Sequence, residues 1–202
     1  MNNKRLIKKY NRLAKNYTTS VNTPALANYR KKIIKNASGE VLEVGVGSGV
    51  NFSFYNKEKV QVTGIDFSQN MIKYAEKAAF RSQVKAIFSC EDVESLSLEA
   101  NSYDCIISTL TLCSYRDPVE TLNNFNKWCR KDGFILLMEH GLSTNKAIST
   151  FQYLINPVFH KLSGCHCNRN IIRIIKKSEI ELTKVERHMS GIINLIWAKP
   201  VK

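Results

Sequence analysis

Two periodicities divide the 202-residue chain. In KRLIKKYNRLAKNY, the residues Leu6, Tyr10, Leu13 and Tyr17 recur at i, i+4, i+7 and i+11. That spacing predicts a helix with one apolar stripe among basic residues. A second helix is predicted from Thr23, with Pro24 in its first turn, to about Asn36, where Ser38-Gly39 breaks it. Beyond this point short apolar runs alternate with helical patterns. VLEV (41–44), VQVTGID (60–66), VKAIFSC (84–90), YDCIISTL (103–110) and FILLMEH (134–140) read as strands. SQNMIKYAEKAAF (68–80) reads as a helix capped by Ser68, and Pro118 opens another that runs to about Arg130. Asp132-Gly133 is then expected to turn into the fifth strand. Helical segments follow at about 147–162 and from Asn170, before two closing strands at about 181–188 and 192–199.

Apolar strands alternating with helices predict a parallel sheet covered on both faces. The last two strands are separated only by Met189-Ser190-Gly191, so they are expected to pair antiparallel at one edge. The predicted fold is α/β: a Rossmann-like, doubly wound, seven-stranded sheet, mostly parallel, with an antiparallel edge pair and N-terminal helices. The expected organisation is a single domain over 1–202, in which a basic helical cap (1–39) precedes a cofactor-binding and catalytic core (40–202). A hydrophobic content of 44% suits one core of this size.

Charge sharpens the picture. Residues 1–39 carry ten of the 30 Lys and Arg side chains and no Asp or Glu, whereas the remainder holds 20 basic against 17 acidic groups. A basic arm on a near-neutral body is attracted to anionic surfaces, so peripheral membrane contact through the N-terminal helix is an expectation. No apolar run is long enough to span a bilayer and no apolar region follows the charged start, so the reading is cytoplasmic, with peripheral contact at a membrane. Six cysteines without framework spacing read as free thiols.

The chemistry centres on VLEVGVGSGV. A dinucleotide fingerprint would place its last glycine at Val50, but the glycines here are Gly45, Gly47 and Gly49. A glycine turn after the first strand lets a ligand approach backbone N–H groups at the carboxyl end of the sheet. Asp66 ends the second strand, where a carboxylate can accept hydrogen bonds from both ribose hydroxyls, and Asp92 follows the third, placed for the adenine amino group. Glu43 would repel a pyrophosphate but suits an ammonium. Adenine, ribose and an amino-acid ammonium without phosphates describe S-adenosylmethionine. Phe67, Met71, Val93 and Thr109 join the cofactor-binding candidates, with Tyr10 and Tyr17 as core residues or a lid over the cofactor. The misplaced glycine and Glu43 argue against a nicotinamide dehydrogenase.

LEVGVGSG, GIDFSQNMIKYAEK and CEDVESLSLEANSYDCIIS resemble class I S-adenosylmethionine-dependent methyltransferases of the type 11 branch, over roughly 40–202. NFSFY, TLTLCS, MEHG and NPVFHKLSGCHCNRN are similar to the methyltransferase-like thiol methyltransferases of the endoplasmic reticulum and lipid droplets. The glycine turn also resembles that of bacterial phosphatidylethanolamine N-methyltransferases, and YNRLAKNY the entry helix of quinone-biosynthesis methyltransferases. The resemblance implies methyl transfer to a small or lipophilic acceptor, with a thiol favoured and a phospholipid amine or a quinol carbon as alternatives.

For the acceptor side, His140 at the end of strand five is the candidate general base or orienting group. Cys113, His166 and Arg169 are candidates for substrate binding. No metal is expected, because Cys165-His166-Cys167 offers fewer than the two spaced ligand pairs of a structural zinc site. Nucleic acid is not an expected partner: Ser-Thr-Leu-Thr stands after strand four where base methyltransferases carry an Asn/Asp-Pro-Pro-aromatic stretch.

Overall fold

The computed structural model describes residues 3–21 and 23–202. Met1, Asn2 and Asn22, which the expected cap includes, lie outside the described residues. Seven strands form one sheet in the order β3-β2-β1-β4-β5-β7-β6. β1 (Gly39–Val44), β2 (Val60–Ile65), β3 (Ala86–Ser89), β4 (Tyr103–Thr109) and β5 (Cys129–His140) pair in parallel. β7 (Ile193–Pro200) runs antiparallel to both β5 and the edge strand β6 (Ile180–His188). The strand order reverses between β1 and β4, and that switch point opens the crevice in which such sheets bind ligands.

The helix starts follow local chemistry. Thr23 caps α2 (Pro24–Ile34), whose proline needs no N–H partner in the first turn. Ser68 Oγ accepts from Met71 N–H at the start of α3 (Gln69–Ser82), and Asp117 accepts from Val119 and Glu120 N–H at the start of α4 (Pro118–Trp128). Asn145 caps α5 (Lys146–Ser163) and Asn170 caps α6 (Ile171–Ile175).

Apolar residues on alternate strand positions feed two cores. Val41, Ile107 and Met138 pack towards α2 and α3, whereas Leu42, Ile106 and Leu137 pack towards α4 and α6. This two-sided burial is why the strand sequences are almost continuously apolar.

One boundary differs from the sequence reading. α4 stops at Trp128, not Arg130, and β5 begins at once at Cys129 without a turn at Asp132-Gly133. Cys129 faces Tyr103 and Phe134 faces Cys105, so β5 carries extra residues over that interval as a bulge. Gly133 suits it because a Cβ there would sit 2.6 Å from Cys129 Sγ, while Arg130 reaches across to Asp104 at 2.6 Å.

α1 (Asn3–Val21) lies over the carboxyl end of the sheet. Asn11 anchors it: its Oδ1 accepts from Ser68 Oγ (2.7 Å) and Asn70 N–H (3.1 Å), and its carbonyl from Asn70 Nδ2 (2.9 Å). Most of its apolar stripe faces the protein, with Ala14 buried and Tyr10 and Tyr17 over the crevice, whereas Leu13 is 41% exposed. No described helix is long and apolar enough to cross a membrane.

Candidate active site

A cavity with about 760 Å³ of empty space, part of it open to solvent, lies at the switch point. Its floor is the turn after β1. Gly45, Gly47 and Gly49 all adopt positive φ, a conformation that side chains rarely tolerate. Gly45 and Gly47 line the cavity, but Gly49 does not. A Cβ on Gly49 would sit 2.8 Å from both Ala75 Cα and Ala78 Cβ, so the third glycine lets the turn meet α3.

Asp66 stands beside this turn. Its carboxylate accepts from Gly47 N–H (3.0 Å) and Ser68 N–H (2.9 Å), and burial pushes its pKa up to about 6. Phe67, Met71 and Val93 form the apolar wall next to it. Asp92 does not line this cavity. Its carboxylate accepts from Glu94 N–H, caps a short 3-10 turn and faces an adjoining cavity, while Glu91 occupies the lining. Tyr10 packs edge-on against Phe67, with ring centres 5.5 Å apart, and against Tyr17 at 6.1 Å, so both tyrosines cover the opening.

Glu43 lies behind the wall. It is buried, and it accepts from Asn51 Nδ2 (2.8 Å) and from the Tyr55 hydroxyl (2.6 Å). Burial raises its pKa to about 7, against the opposing pull of those hydrogen bonds and of Arg30. Arg30, from the basic N-terminal segment, is only 3% exposed and lines the cavity. Its guanidinium donates to Asn51 Oδ1 and Thr109 Oγ1, both at 3.0 Å, and its Nε has no hydrogen-bond partner among the described residues. The sequence reading missed Arg30, because ANYRKK looks like any solvated basic helix face. Asn51 and Tyr55 were legible only as part of the NFSFY resemblance.

After β4 the chain turns through Leu110, whose φ of 60° is unusual for a branched side chain. Glu139 holds this turn: its carboxylate accepts from Thr111 N–H (3.0 Å), Leu112 N–H (3.2 Å) and Ser108 Oγ (2.9 Å). Arg169 braces the same segment by donating to the carbonyls of Leu112 and Tyr115. Its guanidinium is thus committed to backbone, although the side chain borders the second cavity.

That second cavity adjoins the first, sharing Tyr10, Phe67, Ser114 and Tyr115 with it. His166 and His160 line it with their rings stacked 3.9 Å apart. His140 and Cys113 line neither cavity; they meet Cys165 in a cluster just behind. Hydrogen bonds from Cys113 and His140 lower the pKa of Cys165, and the same bond to Cys165 raises that of Cys113.

The fold is that of class I S-adenosylmethionine-dependent methyltransferase domains, and the cavity lies at its switch point. Residues 42–137 match the family model described as a methyltransferase domain. The chain is 31% identical to the mitochondrial methyltransferase OMS1 of Saccharomyces cerevisiae over 94% of this chain and 45% of that protein. It is 27% identical to the rat thiol S-methyltransferase TMT1B, over 77% of this chain and 66% of the relative. The phosphatidylethanolamine N-methyltransferase of Cereibacter sphaeroides is 24% identical over 72% of each chain. The chain thus spans about half to two thirds of the length of the first two relatives. In fold it matches an S-adenosylmethionine-dependent methyltransferase structure from Aquifex aeolicus, with a TM-score of 0.65 at 15% identity over 92% of this chain and 98% of that one.

Proposed function

We propose that the chain transfers the methyl group of S-adenosylmethionine to a thiol on a small or lipophilic acceptor. The observation that carries the reading is the pair of adjoining cavities, one walled by a carboxylate and a buried guanidinium, the other by apolar groups, two imidazoles and a charged rim of Asp92, Glu94, Arg116 and Arg169. In this reading Asp66 accepts from the ribose hydroxyls, while Phe67, Met71 and Val93 pack on the adenosine. Arg30, with its unpartnered Nε, takes the carboxylate of the methionyl group, and the Gly45–Gly47 turn and Thr109 border its ammonium end. Glu43 acts through Asn51, holding the polar wall in place without touching the cofactor. Tyr10 and Tyr17 exclude water, which favours a displacement whose charges cancel when the acceptor is a thiolate.

The acceptor enters the second cavity, beside His166, and its sulfur must come within about 3 Å of the methyl carbon, in line with the departing sulfonium sulfur. The thiol first loses its proton to solvent, and the thiolate sulfur then forms the new C–S bond as the methyl–sulfonium bond breaks, leaving a neutral thioether and S-adenosylhomocysteine. The similarity to thiol S-methyltransferases supports this acceptor.

A lipid acceptor is the second reading, supported by the similarity to a phosphatidylethanolamine N-methyltransferase and by one surface. α5 exposes Phe151, Leu154, Val158 and Leu162 along one face, with Leu154 73% exposed. The surrounding segment 141–178 contains Lys146, Lys161, Arg169, Arg173, Lys176 and Lys177 and no Asp or Glu. An exposed apolar face on a segment whose charged groups are all cationic suits an anionic leaflet. In this reading α5 carries the membrane contact, since most of the α1 stripe faces the protein.

The deciding assay incubates purified protein with labelled S-adenosylmethionine and a panel of alkyl thiols, ethanolamine phospholipids and demethylquinols. Label in thioether products supports the proposal. Label confined to phospholipid or quinol overturns it.

A further inference from the structure

Cys113, His140 and Cys165 come from three separate parts of the chain: the turn after β4, the end of β5 and the connection between α5 and α6. Their ligand atoms nevertheless all lie within 4.8 Å of one another. We propose that these three side chains form a binding site for a zinc-class divalent cation, directly behind the wall of the two cavities.

The local cysteine-rich run does not make this site; the fold selects different partners. In Cys165-His166-Cys167, His166 turns away to stack on His160, and Cys167 Sγ points to the Gln152 carbonyl at 3.5 Å. Only Cys165 remains, and tertiary structure brings Cys113 and His140 to it. This is why a count of ligands along the sequence gave no metal.

The donor set is two thiolates and an imidazole, which selects borderline-soft cations such as zinc over magnesium or calcium. Zinc–sulfur bonds of about 2.3 Å and zinc–nitrogen bonds of about 2.0 Å place tetrahedral ligand atoms about 3.5–3.8 Å apart. The three groups therefore need to close by about an ångström, within reach of rotamer adjustment. Two thiolates also neutralise a dication, so the site can sit in a largely buried place without net charge.

The scaffold around the ligands holds their approach. Cys113 is fully buried, and its carbonyl accepts from His166 N–H at 2.9 Å, which ties the Cys165 connection to the Cys113 turn. Glu139 and Arg169 fix the two sides of that turn through its backbone. Such supporting bonds are what a pre-formed metal site requires. The Tyr10 hydroxyl, 3.9 Å from Cys165 Sγ, marks the side towards both cavities. Three protein ligands leave one tetrahedral position, which takes water or a group from that side.

The test needs neither a methyl donor nor an acceptor, so its outcome is separate from that of the proposed function. The reduced protein is freed of metal with a chelator, then titrated with zinc, and in parallel with cobalt(II). The expected result is one tightly held zinc per chain and a cobalt complex with thiolate charge-transfer absorption and tetrahedral d–d bands. Cys165→Ser and His140→Ala should each weaken zinc binding by at least 10-fold, with Cys113→Ser doing the same if it folds. Cys167→Ser should leave it unchanged, and circular dichroism with a cooperative thermal melt reports that each variant is folded. Absence of stoichiometric metal in the wild-type protein overturns the site, as does binding that survives in a folded Cys165→Ser variant. A Cys113–Cys165 disulfide that forms in air despite added zinc also overturns it.

Discussion

Asp66 is held by two backbone N–H groups yet remains hard to ionise, because burial outweighs those bonds and lifts its pKa to about 6. A ribose donating to the carboxylate favours its charged form, so the pKa falls when cofactor binds. Affinity for S-adenosylhomocysteine is therefore full above pH 6 and declines as pH drops through that value. Calorimetry between pH 5 and 8 checks this; a flat profile removes Asp66 from ribose binding. Asp66→Ala should weaken the same affinity by about 1.5–3 kcal/mol through loss of charged hydrogen bonds. Gly49 tests a different property. With φ at 77° and two α3 atoms 2.8 Å from its absent Cβ, Gly49→Ala should lower the unfolding free energy by more than about 1 kcal/mol. An unchanged melting temperature would show that the turn and α3 are not packed as described. At this scale the glycines and Asp66 were readable from type and spacing. Arg30 and Glu139 were not, since their roles depend on burial and on partners 21 to 79 residues away.

Among the elements, the central strands were readable because they are apolar on both faces, and the helix starts because Thr23, Ser68 and Pro118 are local signals. The α4–β5 junction was not. Asp-Gly commonly marks a turn, but pairing of Cys129 with Tyr103 absorbs the extra residues as a bulge within the strand. The amphipathic pattern of α1 likewise announced a helix without saying what its stripe meets. Asn11 and the two tyrosines turn it onto the cofactor crevice, leaving α5 with the exposed apolar face. Replacing Leu154 and Val158 by Ser should therefore reduce co-sedimentation with anionic phospholipid vesicles several-fold at physiological salt, without loss of thermal stability. Equal sedimentation of variant and wild type would remove α5 from membrane contact.

For the whole molecule, sheet order places the glycine turn, Asp66, the β4 turn and the end of β5 around one crevice, and α1 covers it. Sequence spacing anticipated the sheet and the class of cofactor, because both follow from the order of elements. The second cavity was less legible. It is assembled from α1, the α5–α6 connection and the β4 turn, segments that meet only in three dimensions.

The account stands on where the cofactor sits. A crystal structure with S-adenosylhomocysteine measures that directly. The predicted result has the ribose hydroxyls on Asp66, the adenine beside Phe67 and Val93, and the amino-acid carboxylate at Arg30. A ligand bound elsewhere, or turned so that its amino-acid end meets Asp66, would contradict it.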